Sequence, residues 1–492
     1  MRFLLSLILL FAQFNLTISG FEAKYIVLMI GDGYGYNHQQ SVNAFTGVIP
    51  EYQAWQQYWV STYSCGGSYD PSSAWSDFNY VKQNPTDSAA AATAIFSGHK
   101  TYDEGINISS EGTCFSTIVD EARLQGKGTG AVTSVYISHA TPGAWLAHNE
   151  SRNNGFAIAA EALWGNPTTT MTTTTAYYGG GICPTHTPAD VLIGAGHPNW
   201  NGDKYVNGSM REKLFAESGN PGAFHFIERQ SGSPNAGTRL ENLANNPSVT
   251  RLAGLFGGSN GNLDYRLADG SGYNPENPTL TEMTEAALKV LSHHSQGFVL
   301  MVEGGAIDWA SHANNMDMMI GEAIDFNNAV QTVIDWVDDP SNDSTWQNTL
   351  VIVTSDHETG YLNAFYHAFP IQAPPQITAE MLLLEKSISG TGVRASWDDQ
   401  NMNDLIDTGE DMYWSWNTTG HTNSLVPLFA KGVGANYFNI YTKGVDPVRG
   451  NYLDNTDIYQ VMYLAMNGRL PFYQLLPFLQ KSTSKISFLT LY

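Results

Sequence analysis

Positive charge is scarce in this chain. Lys and Arg together number 23 against 46 Asp and Glu, a formal charge of −23. That balance argues against nucleic acid or an anionic membrane as a binding partner. It also means that an anionic substrate would be repelled unless its site were locally positive. Cysteine is nearly absent: Cys65, Cys114 and Cys183 are the only three. None is spaced as a metal cluster requires. In an oxidising compartment three thiols suggest one disulfide and one free thiol, with three pairings open. Long apolar runs are missing too, so no segment has the roughly 20 apolar residues of a membrane-spanning helix. Residues 1–19 begin with Arg2, run through the apolar Phe3 to Phe11 and end near Thr17-Ile18-Ser19. They read as a secretory signal peptide, and a secreted or periplasmic location is expected.

What is present suffices for a large core, with 42% hydrophobic residues and 12 Trp in 492 positions. Residues 20–480 are expected to form one catalytic domain, because large α/β enzymes often exceed the usual domain length. Apolar runs of strand length recur at Tyr25 to Ile30, Gly128 to Val135, Ala189 to Gly196, Arg251 to Gly257, Phe298 to Val302, Thr349 to Val353 and Leu425 to Ala430. Helical patterns at Phe115 to Gln125, Leu280 to His294 and Met316 to Val337 fall among them. This alternation predicts an α/β fold, a central mostly parallel sheet with helices on both faces. Glu51 to Tyr80, rich in Trp and Tyr but poorly periodic, reads as loops over the sheet edge. The stretch between residues 197 and 250 offers little periodicity and no evident chemistry.

The carboxyl ends of the strands carry the chemistry, as expected for an open α/β sheet. After Phe298 to Val302, FVLMVEGGAIDWASH supplies Glu303, Asp308, Ser311 and His312 at once. Asp308 and His312 are four apart, one helical turn, so a carboxylate and an imidazole share a face. The plainer reading is an acidic helix cap and a surface histidine. Asp32 lies between two glycines after the first strand, and Asp356-His357-Glu358 ends another. NPTDSAAAATAIF is a helix start in which Asp87 or Ser88 could simply cap. Alternatively Ser88, at a helix N-terminus that favours anions, is a nucleophile. No histidine lies close to it in sequence, so a metal is the better activator. Arg152 suits a bidentate phosphate clamp or an ordinary surface position. His421 stands just before the last apolar strand.

Residues 363–415 interrupt the rhythm and read as a surface insertion. Within it, residues 399–410 match the twelve-residue calcium loop at Asp399, Asn401, Asn403, Asp407 and Glu410. Asp404 replaces the usual glycine. A calcium site and a plain acidic surface loop both remain open.

Together, GDG with Asp32, TDSAAAAT with Ser88, HATP with Thr141, EGGAIDWASH, TSDHETG and GHTNS resemble the alkaline phosphatase family, in the family's order across residues 25–432. The resemblance implies a metal-dependent phosphate monoesterase in which Ser88 forms a phosphoserine. It implies one zinc on Asp308, His312 and His421, and a second on Asp32, Asp356 and His357. Magnesium would sit on Asp32, Thr141 and Glu303, and Arg152 would grip the phosphate oxygens. Two metals about 4 Å apart clamp the entering and leaving oxygens of an in-line displacement. Such a cluster also answers the charge question with a local positive well. His139 and Trp309 stand near this site, with Asp87 beside the nucleophile. That His and Trp pairing is similar to marine and cold-adapted bacterial members, and leaves magnesium and zinc both open at the third position. Tyr34 follows GDG where many relatives have Met. Family members are commonly homodimers, so a homodimer acting on small phosphate monoesters is expected. Sulfatases need a C/S-x-P-x-R context that the Ser88 segment lacks. Diesterases generally lack the trio of Thr141, Glu303 and Arg152. A non-enzymatic secreted calcium-binding protein is the reading from another class.

Overall fold

The computed structural model describes residues 22–77, 79–166, 183, 185–364, 386–387, 394–397 and 412–468. Residues 1–19, read as a signal peptide, and the candidate calcium loop at 399–410 lie outside the described residues.

An eleven-stranded sheet organises the chain. Its strands are β1 (Tyr25–Gly31), β2 (Gln56–Ser61), β3 (Gly128–Tyr136), β4 (Val191–Ala195), β5 (His225–Glu228), β6 (Leu252–Phe256), β7 (Phe298–Gly304), β8 (Thr349–Thr354), β15 (Val426–Gly432), β16 (Gly444–Asp446) and β17 (Gly450–Asp454). The order is β16-β17-β2-β15-β8-β1-β7-β3-β4-β6-β5. From β8 to β5 every pairing is parallel, while β15 runs antiparallel to both its neighbours. The expected α/β architecture is therefore present.

Uniformly apolar strands suit this sheet because both faces are covered. Along β1, Tyr25, Val27 and Met29 enter one core, while Ile26, Leu28 and Ile30 enter the other. The first core is closed by helices Leu280–Leu291 and Met316–Asp338, the second by Ser88–Ser97, Ala140–Leu146 and Thr456–Asn467. Fully burying each such aliphatic side chain is worth roughly 1.5–3 kcal/mol.

Two expectations are corrected. Glu51 to Tyr80 is more than loops, since β2 lies inside it and pairs with both β15 and β17. Its opening Gln56 and Gln57 are exposed, which hid the strand from a search for apolar runs. The stretch from 197 to 250 holds helices Gly208–Glu217 and Ala236–Ala244 and the edge strand β5. Within 363–415 the described residues form β10 (Asn363–Ala364), β11 (Lys386–Ser387), β12 (Arg394–Trp397) and β13 (Met412–Ser415), a separate antiparallel sheet, while β9 (Glu358–Thr359) and β14 (His421–Thr422) pair as a two-stranded one. Of the three open cysteine pairings, Cys114 with Cys183 is the one formed, and Cys65 is free and exposed.

Register delivers the site. Ile30 pairs with Glu303 on β7 and Thr354 on β8, and Thr133 on β3 pairs with Glu303. Asp32, Glu303 and Asp356 consequently emerge together at one edge of the sheet.

Candidate active site

Each side chain here is aimed by a short piece of local structure. Gly33 turns the chain after Asp32 with φ +69°, and its N–H donates to Asp356 Oδ1 at 3.1 Å. A Cβ there would stand 2.8 Å from Thr359 Oγ1 and 2.9 Å from Asp308 Oδ1, so only glycine fits. Ser88 opens the helix Ser88–Ser97, and Asp87 caps it by accepting from Ala90 N–H at 2.9 Å. Asp87 is thus the cap, and Ser88 is left to face the site. Ser88 Oγ lies 3.2 Å from His357 Nε2.

His357 is the junction of the cluster. Its Nε2 is 3.5 Å from Asp32 Oδ1 and 3.3 Å from Asp356 Oδ2. The ring stacks on His421 with centroids 3.6 Å apart. On the short helix Ala306–His312, Asp308 and His312 do share a face, with His312 Nε2 3.3 Å from Asp308 Oδ2. His421 Nε2 comes within 3.0 Å of His312 Nε2 and 3.6 Å of Asp308 Oδ1. The far nitrogens face carbonyls: His312 Nδ1 is 2.5 Å from Thr419 O, and His421 Nδ1 is 2.8 Å from Thr86 O. Ser311 does not join them, because its hydroxyl donates to Ile307 O at 2.8 Å.

Glu303 accepts a hydrogen bond from Thr133 Oγ1 and is fully buried, as is Thr141. His139, expected only beside this group, comes within ligand distance of Asp32 and Glu303. Trp309 packs edge-on against it with centroids 5.6 Å apart. Arg152 donates to Asp87 Oδ2 at 3.0 Å and lies 3.1 Å from His139 Nε2. All ten expected ligands and catalytic groups therefore converge on one end of the sheet. Thr133 and Thr359, which position them, went unnoticed in the sequence. Thr359 lies inside TSDHETG, but only the fold reveals what it touches.

Burial first, then Asp356 and the other carboxylates, pushes Asp32 well above the usual carboxylate range. Burial and Asp308 raise Asp356 to about 7, and burial raises Glu303 to about 7 against the hydrogen bond from Thr133. For Asp308 burial is outweighed by His312 and His421, which hold it well below that range. Six buried polar atoms of this site find no hydrogen-bond partner: both carboxylate oxygens of Asp32, Asp356 Oδ2, Glu303 Oε1, Thr141 Oγ1 and His139 Nδ1. Leaving such an atom unpaired costs about 1–3 kcal/mol. The triads Asp308–His357–His421, Asp32–Asp356–His357 and Asp32–His139–Glu303 each bring ligand atoms within 4.8 Å of one another. Orphaned oxygens, crowded negative charge and imidazoles with their far nitrogens facing carbonyls all fit divalent cations.

Comparison with known proteins follows the same line. The family model for alkaline phosphatase matches residues 23–467. Alkaline phosphatase 3 of Bacillus subtilis (strain 168) is 28% identical over 482 residues, covering 90% of this chain and 89% of that protein. Alkaline phosphatase of Escherichia coli (strain K12) is 30% identical over 392 residues, covering 73% of each chain. The structure of alkaline phosphatase from the Antarctic bacterium TAB5 matches with TM-score 0.60 at 23% identity, covering 91% of this chain and 99% of that one. Cold-active alkaline phosphatase from the psychrophile Shewanella sp. gives 0.59 at 25% identity, over 90% and 99%. A His-to-Asp mutant of the TAB5 protein is described with Mg bound in the M3 site.

Proposed function

The chain belongs to the alkaline phosphatase family, and from that premise we propose that it hydrolyses phosphate monoesters through a phosphoserine at Ser88. The observation that carries this reading is the position of Ser88 Oγ, 3.2 Å from His357 Nε2 at the N-terminus of a helix. Free N–H groups and the helix dipole there favour a phosphate.

Asp308, His312 and His421 would hold one zinc, Asp32, Asp356 and His357 a second, and Asp32, Thr141 and Glu303 a magnesium. His139 makes zinc an alternative at the third position, since imidazole suits it better. When bound, these cations lower the pKa of the Ser88 hydroxyl and of the attacking water and neutralise the leaving oxygen. The chain's own residues do the rest. Arg152 meets two non-bridging oxygens of the phosphate with its planar guanidinium. Asp87, holding Nη1 at 3.0 Å, fixes the direction from which that guanidinium arrives. Ser88 Oγ, its proton released to solvent, attacks phosphorus in line, the P–O bond to the alcohol breaks, and the alkoxide takes up a proton from solvent and leaves as the alcohol. Water then attacks the phosphoserine from the vacated side, the Ser88 O–P bond breaks, and inorganic phosphate departs with Ser88 restored.

The test compares p-nitrophenyl phosphate with its bis ester from pH 6 to 11, with chelator and then with added zinc and magnesium. Monoesterase activity that rises into alkaline pH and returns with metal is expected. Preference for the diester overturns the roles given to Thr141, Glu303 and Arg152. Ser88→Ala should abolish phosphate trapped on the protein at low pH, and labelling that survives moves the nucleophile elsewhere.

Secretion or a periplasmic location through residues 1–19, and a homodimer, are part of the same proposal. Among the described residues no helix is long and apolar enough to cross a membrane.

A further inference from the structure

A second group of metal-type donors shares no residue with the active site. His148 follows the helix Ala140–Leu146, Glu161 lies on the helix Gly155–Trp164, and His186 precedes β4. Glu161 Oε1 is 3.2 Å from His148 Nδ1 and 2.9 Å from His186 Nε2. Both imidazole side chains are only 2% exposed.

The far nitrogens decide what this group can be. His148 Nε2 lies 2.9 Å from Phe115 O, and His186 Nδ1 lies 3.0 Å from Thr187 O. A carbonyl only accepts, so each far nitrogen carries the hydrogen. In a neutral imidazole the near nitrogen then presents a lone pair. Both lone pairs meet Glu161 Oε1, itself an acceptor and already receiving the His148 backbone N–H at 3.0 Å. Something positive must lie between them. It is either a proton on each ring or one shared divalent cation.

Three features favour the cation. A far N–H given to a carbonyl is the usual support of a metal-bound histidine. Zinc with ligands at about 2.0–2.1 Å sets neighbouring atoms of a tetrahedron about 3.3 Å apart, close to the 3.2 and 2.9 Å found here. Another carboxylate, Asp120, sets Oδ2 3.8 Å from His148 Nε2, where that oxygen accepts from Thr117, and gives Oδ1 to Arg123. It therefore faces the far side of the ring and does not compete for the near nitrogen. Two imidazoles and one carboxylate select zinc-class ions over magnesium or calcium.

We propose that His148, Glu161 and His186 bind one zinc-class divalent cation, separate from the active centre. The site ties together three segments: the chain after the helix Ala140–Leu146, the helix Gly155–Trp164, and the chain entering β4. The Cys114–Cys183 bond joins the third of these to the loop that supplies Phe115 O. Glu161, with its side chain 15% exposed, leaves a remaining coordination position open to water.

The experiment uses the full chain equilibrated with zinc. In crystals, an anomalous difference peak at the zinc edge is expected between the three side chains. In solution, His186→Gln should hold about one zinc equivalent fewer per chain than the wild type, with activity at saturating zinc unchanged. No peak at the cluster, or a zinc content unchanged by the substitution, overturns the proposal and leaves two imidazolium rings paired with Glu161. The crystal measurement needs no variant, so it decides even if His186→Gln fails to fold. Neither readout depends on the active site performing the proposed reaction.

Discussion

Thr359 reaches two members of the active site with one hydroxyl. Its Oγ1 donates to Asp308 Oδ1 at 2.5 Å and lies 3.3 Å from His357 Nδ1. Having given its hydrogen to the carboxylate, the oxygen can only accept from the ring. That places the His357 hydrogen on Nδ1 and turns the Nε2 lone pair toward Ser88, Asp32 and Asp356. Thr359→Val keeps the shape and removes both contacts. Losses of such outer partners typically weaken metal binding about 10–100-fold. The zinc concentration that half-restores activity after chelation should rise by that order, while kcat at saturating zinc changes less. An unchanged zinc requirement would show that Thr359 merely fills space.

At the scale of elements, Asp87 serves the helix Ser88–Ser97 and Arg152 with different oxygens. Oδ1 caps Ala90 N–H, while Oδ2 receives Arg152 Nη1 and Glu104 N–H, each at 3.0 Å. Asp87→Ala should lose about 1 kcal/mol of stability with the cap. Asp87→Asn retains the capping oxygen and should recover most of that loss in chemical unfolding. Equal losses in the two variants would assign the stability to the ion pair instead. On the long helix Met316–Asp338, burial raises Glu322 to about 7 despite its Arg266 partner. The sign is that of a raised acid. Unfolded Glu322 ionises near pH 4.3 and the folded one only near 7, so stability falls across that window and then levels. Glu322→Gln removes the penalty, so its stability relative to wild type should climb between pH 4 and 7, by roughly 2–3 kcal/mol. A flat difference over that range would sink the assignment. Elements of this sheet were legible wherever both faces are buried, because β1, β7 and β8 then read as continuous apolar runs. β2 and β5 escaped for the opposite reason: exposed Gln56 and Gln57, and half-buried His225 and Phe226, break the run. The candidate ligands were legible because they cluster at strand ends. Thr133 was not, since its role depends on a partner 170 positions away.

For the whole molecule, a chain with formal charge −23 gathers its most crowded buried carboxylates at one edge of its sheet. Folding without cations sets Asp32, Glu303 and Asp356 together with oxygens that have no donor. An arrangement of that kind is tolerable when bound cations repay it, so native stability should be coupled to metal occupancy. A ligand that binds only the folded state stabilises it by about 1.4 kcal/mol per site for each tenfold rise in concentration above Kd. Chelator-stripped protein should therefore melt at a lower temperature, and its Tm should climb with the logarithm of added zinc. The same titration on Asp308→Asn should give a shallower slope, because one carboxylate ligand is gone. Calorimetry at several zinc concentrations reads the slope directly. A melting temperature indifferent to both chelator and zinc would mean that the crowded carboxylates are kept neutral by protons, and the two-zinc reading of the site would fall with it.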